Sequence, residues 1–340
     1  MTTFRAALVE SFDADIAVKD VERPTPGPNQ ALVKLIASGI CHTDLHAAKG
    51  DWPVLPEPPF IPGHEGIGEI VELGPGEHDV AVGDIVGNAW LWSACANCEF
   101  CRTGRETFCP NAQYGGYTQN GSFGEYMLVD TRFAPRIPDG VDYLEAAPIL
   151  CAGVTVYKAL KVSNIRPGQF MVISGIGGLG HIAVQYAKAM GMRPIAVDIA
   201  DSKLELAKSL GAEFTVNARD VDPAEAVREF TNGGAHGVLV TAVHEKAFGQ
   251  ALGMARTNGT IVFNGLPPGE FPVSVFDVVF RGLTITGSLV GTRQDMEEAL
   301  DFYARGLIKP KVAECGLDDV ADVFEKLESG GIDGRVAIRY

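Results

Sequence analysis

The chain holds 340 residues, enough for two domains that each bury an apolar interior. Hydrophobic residues make up 46%, yet no unbroken apolar run is long enough to span a bilayer, so a soluble, globular protein is expected. Forty-three acidic against 28 basic residues leave a net charge of −15. Such a field repels nucleic acid and anionic membrane surfaces, and a phosphate-bearing ligand must then be held by helix amino termini or single basic side chains.

The opening residues Met1, Thr2, Thr3, Phe4 and Arg5 lead straight into strand-like sequence, without the basic start, apolar run and cleavage site of a secretory leader. A reducing, cytoplasmic setting is expected. From 31 to about 130, short strands at 31–38, 65–73 and 125–130 are broken by Gly, Pro and Asp, with Pro-Gly turns at 26–27, 62–63 and 75–76. This pattern predicts a mostly β domain with long functional loops. Within it, Gly39-Ile40-Cys41-His42-Thr43-Asp44-Leu45-His46 and Gly63-His64-Glu65-Gly66 each set a zinc-type ligand near a glycine.

Cys95, Cys98 and Cys101 follow one another at intervals of two intervening residues, and Cys109 returns a fourth thiol. Four thiolates so spaced can surround one zinc ion tetrahedrally and leave no place for water, which makes a stabilising site and not a catalytic one. The other reading is a pair of disulfides. In a reducing compartment clustered cysteines favour the metal.

Near Ala146 the period changes. Apolar runs at 170–174, 194–198, 237–241, 260–264 and 284–288 alternate with helical stretches such as 178–190 and 201–210, which predicts a parallel sheet covered on both faces. Gly175, Gly177, Gly178 and Gly180, with Leu179 between the last two, follow the first run at once and open a helix. The first glycine permits a tight turn, the second lets amides approach a pyrophosphate, and the third packs helix on strand. Asp198 ends the next strand, where a carboxylate accepts bonds from ribose hydroxyls and repels a 2′-phosphate. Ile199 and Ala200 offer no compensating arginine, so NAD is favoured over NADP; an ordinary solvated carboxylate is the alternative for Asp198. Beyond 290, helices at about 293–305 and 319–328 and a final strand are expected to return to the first domain. The expected boundaries are 1–150, 151–287 and 288–340.

Cys151, at the junction, adds a thiol. Cys41, His64 and Cys151 make a two-thiolate, one-imidazole set of the kind that leaves a fourth zinc position open. Taken singly they could be two buried thiols and an ordinary histidine, and spacing does not join positions so far apart. Cys315 reads as a small, partly buried side chain without a role.

The combination of Cys41-His42-Thr43-Asp44, Gly63-His64-Glu65-Gly66, the four-cysteine loop, Cys151-Ala152-Gly153 and the glycine-rich turn resembles the zinc-dependent alcohol dehydrogenases of the medium-chain family, most of all their tetrameric microbial and yeast branch. Gly50-Asp51-Trp52-Pro53, Gly121-Ser122-Phe123 and Gly287-Ser288-Leu289-Val290-Gly291 extend the likeness over essentially the whole chain. The resemblance implies an α/β protein with a GroES-like β catalytic domain, a Rossmann coenzyme domain with a doubly wound parallel sheet, and the active site in the cleft between them.

It further implies two zinc ions per chain: a catalytic ion on Cys41, His64 and Cys151 and a structural ion on Cys95, Cys98, Cys101 and Cys109. Thr43, the nicotinamide ribose and His46 would pass out the alcohol's proton; a histidine titrates near neutral pH, though His46 could be a surface residue only. Glu65 would lie behind the metal, and Asp44 would orient the His64 imidazole. Lys203 would meet the adenosine ribose, His42 and Arg335 the pyrophosphate, with Gly265 and Leu266 completing the NAD site; other branches carry arginine where His42 stands. Trp52 and Trp90 would wall a narrow pocket for short primary alcohols and their aldehydes, plain core packing being the alternative and the one that also suits Trp92. The implied activity is reversible oxidation of such alcohols with hydride transfer to NAD, in a cytoplasmic homotetramer. A polyol or amino-acid-alcohol dehydrogenase is the nearest rival. Zinc-free quinone or enoyl reductases lack the ligands kept here, and a non-catalytic NAD-binding protein is the remaining alternative.

Overall fold

β-branched runs alternate with helices from Phe170 onward, and in the computed structural model, which describes every residue but Met1, Asp13 and Pro268, these runs form one six-stranded sheet. Its order is Phe214–Asn217, Arg193–Asp198, Phe170–Ser174, Ala235–Val240, Ala255–Phe263 and Thr284–Gly287, with every pairing parallel. The chain starts in the middle, builds to one edge, then returns to build the other. Strand order therefore reverses between Phe170–Ser174 and Ala235–Val240, the position beyond whose carboxyl ends open parallel sheets form their crevice. Val172, Ile195, Val238 and Ile261 are wholly buried in the core under the helices. Each such side chain contributes roughly 1.5–3 kcal/mol relative to exposure. This sheet belongs to a compact unit of Ala152–Leu289 and Arg305–Lys309.

The other unit comprises Met1–Cys151, Val290–Ala304 and Pro310–Tyr340. Its sheet runs Val312–Cys315, Arg335–Arg339, Gln30–Ile40, Gly66–Leu73 and Ile85–Asn88, and Tyr126–Asp130 pairs with the first half of Gln30–Ile40. The long central strand alternates poorly because both its faces are covered, and register shifts between Leu32 and Val33 and between Leu35 and Ala37 curve it. The final strand lies antiparallel to it, with Val336 opposite Ile40, while Gly66 stands opposite Ser38 on the other side. Three strand ends thereby meet at one level: Cys41 follows Ile40, His64 and Glu65 precede Gly66, and Arg335 begins the last strand.

Helix His42–Lys49 starts where the central strand stops. Cys41 is its extended N-cap residue, and the Asp44 carboxylate accepts the Cys41 amide at 2.9 Å, closing a capping box. Gly50 ends the helix in the left-handed region at φ 61°. Among the described residues no helix is long and apolar enough to cross a membrane.

Candidate active site

Cys41, His64, Glu65 and Cys151 are all buried and bring one potential ligand atom each within 4.8 Å of one another. Cys41 comes from the strand-to-helix turn, His64 and Glu65 from the turn before Gly66–Leu73, and Cys151 from the end of the short 3-10 helix Ala147–Leu150. The Asp44 carboxylate holds this group together: it accepts from the Cys41 amide, from the Gly63 amide at 3.1 Å and from His64 Nδ1 at 2.8 Å. With Nδ1 engaged, His64 Nε2 faces the Cys151 sulfur at 3.1 Å. A ring so held is fixed in tautomer and direction for ligation.

The Cys41 thiol is held well below its usual range, first by the hydrogen bond from Cys151 and also by Arg335, against burial, while Cys151, the donor, is pushed well above it. Burial opposes a charged His64, but the charge and hydrogen bond of Asp44, with help from Cys41, outweigh it and raise its pKa. Burial also pushes Glu65 up to about 7, with Arg335 pulling the other way. Glu65 Oε1 pairs with Arg335, whereas Oε2 is buried without a hydrogen-bond partner among the described residues. Two sulfurs, one imidazole nitrogen and a carboxylate short of one partner fit a zinc ion with an open position.

Around His64 stands an aromatic wall. The ring of Trp90 meets the imidazole edge-on at 5.5 Å, stacks on Tyr114 at 5.0 Å and touches Tyr117 at 5.2 Å; Trp52 lies 6.1 Å from Trp90 and 6.2 Å from Tyr117. Trp92 instead is buried, its indole donating to the Leu128 carbonyl at 3.0 Å. Tyr114 and Tyr117 did not stand out in the sequence, where the pair reads as ordinary loop aromatics.

Thr43 and His46 lie three residues apart on helix His42–Lys49, hence on one face. The Thr43 hydroxyl has no hydrogen-bond partner among the described residues. His42 is exposed and its Nε2 donates to the Leu327 carbonyl at 3.2 Å. Arg335, 5% exposed, is committed to Glu65.

The four-cysteine loop closes on itself. Cys98 and Cys101 sulfurs are 3.5 Å apart and those of Cys95 and Cys101 are 4.0 Å apart, with all four ligand atoms within 4.8 Å. Zinc–sulfur bonds of about 2.3 Å place tetrahedral sulfurs roughly 3.8 Å apart, whereas a disulfide needs about 2.05 Å. All four are free thiols. Amides of Asn97 and Cys98 bring Cys95 down to about 6, while burial pushes Cys101 up to about 12. Glu106, inside the loop, is gripped by Arg293 through Nε at 3.0 Å and Nη2 at 2.9 Å.

In the other unit, the turn after Ser174 leads through Gly175 at φ 98° into helix Gly180–Ala189. A Cβ on Gly175 would meet the Ala242 amide nitrogen at 2.7 Å, and one on Gly180 would meet the Gly175 oxygen at 1.9 Å, so both must be glycine for strand and helix to approach. A Cβ on Gly177 would meet nothing within 4 Å. That open cradle at a helix amino terminus fits a pyrophosphate. Asp198 ends its strand as expected, but its carboxylate accepts the amides of Ile176 at 2.6 Å, Ile199 at 2.7 Å and Ala200 at 3.1 Å, and so braces the turn besides facing it. Lys203 is in the first turn of helix Asp201–Leu210. Gly265 packs its Cα against the Ala242 carbonyl, where a Cβ would come within 2.3 Å, and Leu266 is 60% exposed.

With this geometry the comparisons agree. Residues 27–139 match the alcohol dehydrogenase GroES-like domain family and residues 178–305 the zinc-binding dehydrogenase family. An alcohol dehydrogenase of Moraxella sp. (strain TAE123) is 55% identical over 99% of both chains. Among solved structures, a zinc-binding dehydrogenase of Sinorhizobium meliloti bound to NADP is 30% identical with a TM-score of 0.93 over 100% of both chains. An acetophenone reductase of Geotrichum candidum in complex with NAD is 30% identical with a TM-score of 0.88 over 99% of this chain and 97% of that one. Convergence of Cys41, His64 and Cys151 in space, and identity above half along the full length, place the chain in the zinc-dependent alcohol dehydrogenase family of medium-chain dehydrogenases.

Proposed function

We propose that the protein is an NAD-dependent alcohol dehydrogenase that interconverts short primary alcohols and aldehydes. The observation that carries this reading is the convergence of Cys41, His64 and Cys151 around one point, with Asp44 behind the imidazole and Trp90 in front of it. Cys41, His64 and Cys151 would hold one zinc, and Cys95, Cys98, Cys101 and Cys109 a second. The catalytic ion supplies Lewis-acid polarisation of the substrate oxygen, and the nicotinamide supplies the hydride acceptor.

The chain's own side chains do the rest. Asp44 fixes His64, and Glu65 with Arg335 sets a buried ion pair against the ligands. The Thr43 hydroxyl, able to donate and accept at once, takes the substrate proton, and His46 on the same helix face returns it to water. Trp52 and Trp90 exclude water and leave room for a narrow carbon chain. Gly177 would admit the pyrophosphate, Lys203 would meet the adenosine ribose and His42 the pyrophosphate, with Gly265 and Leu266 completing the NAD site. Asp198 favours NAD: NADP and NAD both occur in neighbours at equal identity, so the choice rests on this carboxylate, which repels a 2′-phosphate.

The deciding experiment measures zinc in the purified protein together with NAD-linked oxidation of ethanol, before and after chelation. Two zinc ions per chain, with activity following the more readily removed one, are expected; activity indifferent to zinc would end this reading. Sorbitol and threonine serve as comparison substrates, and preference for either favours the polyol or amino-acid-alcohol alternative. A homotetramer in the cytoplasm completes the proposal. An apolar, exposed helix, Val275–Arg281, and the open edge strand Thr284–Gly287 support self-association.

A further inference from the structure

His46 is not left to find its own orientation. Helix His42–Lys49 ends at Gly50, whose left-handed φ of 61° turns the chain back so that the amides of Gly50 and Asp51 both donate to the His46 carbonyl, at 3.0 and 3.4 Å. This reversal delivers the Asp51 carboxylate to the imidazole: its two oxygens lie 2.9 and 3.0 Å from His46 Nδ1. The next residue lays the Trp52 indole on the imidazole face at 5.3 Å and 24°. Two residues further, the Val54 carbonyl accepts the Tyr117 hydroxyl, and the Tyr117 ring packs on Trp52, so the whole 51–54 segment is fastened. One ring nitrogen is held and one ring face covered, and Nε2 has no hydrogen-bond partner among the described residues.

We propose that Asp51 is the positioning carboxylate of a His46–Asp51 pair: it holds the proton on Nδ1 and presents Nε2 as the base that receives the proton relinquished by the alcohol. The step is a proton transfer only. The substrate O–H bond breaks as the Thr43 hydroxyl takes that proton and passes its own along, an N–H bond forms at Nε2, and the resulting imidazolium rests against the Asp51 carboxylate until Nε2 releases its proton to water. This rests on the alcohol dehydrogenase reading. The side chains of Asp51 and His46 are about half and one third exposed, so the pair stands where water can collect the proton.

The charged and titratable groups around the pair are few. On the same helix, the His42 ring is 6.5 Å from His46 and bonds the Leu327 carbonyl, and Lys49 pairs with Glu328 of helix Val320–Glu328 at 2.5 Å. From the facing loop, Tyr117 is pushed above its usual range by burial and by the Asp51 charge. None of these replaces the Asp51 carboxylate at Nδ1.

The test compares zinc-loaded wild type with Asp51→Asn and Asp51→Glu, first confirming equal thermal unfolding and zinc content. Asp51→Asn is expected to lower kcat for alcohol oxidation about tenfold with little change in KM. Asp51→Glu should restore much of the lost kcat. In a His46→Ala background, Asp51→Asn should leave kcat where it is. Nitrogen-15 spectra supply a readout apart from turnover: wild type should show the Nδ1–H tautomer of His46, and Asp51→Asn should lose it. An unchanged kcat with an unchanged tautomer would overturn the proposal while leaving the enzyme reading intact. Wild type that oxidises no alcohol would overturn that reading instead, and the spectra would still report on the pair.

Discussion

Asp44 touches no substrate in any reading, yet three donors converge on it: two amides that set the turns bearing Cys41 and His64, and the imidazole itself. Asp44→Asn preserves the shape but must turn an NH2 group toward one of those donors. We expect the mutant to fold and to bind zinc at Cys41, His64 and Cys151 about 10- to 100-fold more weakly, read by competition with a chromophoric chelator, while the four-cysteine zinc is retained. His42 tests another single-residue idea. Its imidazole donates to the Leu327 carbonyl, whereas arginine is always charged and offers five donors. His42→Arg should lower the NADH dissociation constant by roughly 5- to 10-fold, about 1–1.4 kcal/mol, and slow NADH release in stopped flow. Unchanged release would remove His42 from the cofactor site.

At the scale of elements, the glycine-rich turn separates two kinds of necessity. Gly180 exists for packing: any Cβ would enter the Gly175 carbonyl. Gly180→Ala should therefore lower stability by roughly 1–3 kcal/mol, seen as a lower Tm, with loss of coenzyme binding as a consequence. Gly177 has open space beyond its Cα. Gly177→Ala should leave Tm unchanged and still weaken NAD binding at least tenfold by isothermal titration, because the methyl stands where the pyrophosphate approaches. Equal binding by Gly177→Ala and wild type would show that the dinucleotide does not lie over this turn. The four-cysteine loop follows similar logic, since Arg293 ties Glu106 from helix Arg293–Ala304 and spares the loop from relying on metal alone.

For the whole molecule, the open question is association. Helix Val275–Arg281 buries none of its residues, and Val275, Phe276, Val279 and Phe280 are each at least 70% exposed, with the two phenylalanine rings stacked on each other. A monomer rarely leaves such a face in water. Beside it in sequence, Thr284–Gly287 has a free hydrogen-bonding edge that a second copy could pair. The double variant Phe276→Asp, Phe280→Asp should yield a smaller species than wild type in size-exclusion chromatography with light scattering. Equal masses would place the interface elsewhere.

What the order of residues determined alone is whatever depends on near neighbours. The alternation from Phe170 to Gly287 gave the parallel sheet, because a strand buried on both faces must be apolar throughout and a crossover helix must follow it. The spacing of Cys95, Cys98, Cys101 and Cys109 likewise carried its own geometry, since a tight loop can return its ligands only to one point. The glycines at 175, 177 and 180 were legible for the same reason. Cys41, His64 and Cys151 were not, because nothing local joins three positions so far apart; resemblance linked them in sequence, and in space the register of the final strand and of Gly66–Leu73 against Gln30–Ile40 aligned the strand ends that carry Cys41, His64 and Arg335. Tyr114, Tyr117 and the Asp51 contact to His46 were equally hidden. Aromatic and acidic residues in loops look alike in a sequence, and only the turn at Gly50 and the packing on Trp52 and Trp90 gave them their places. Side-chain chemistry is written along the chain, but a site is made of distances, and those come from how strands and helices close upon one another.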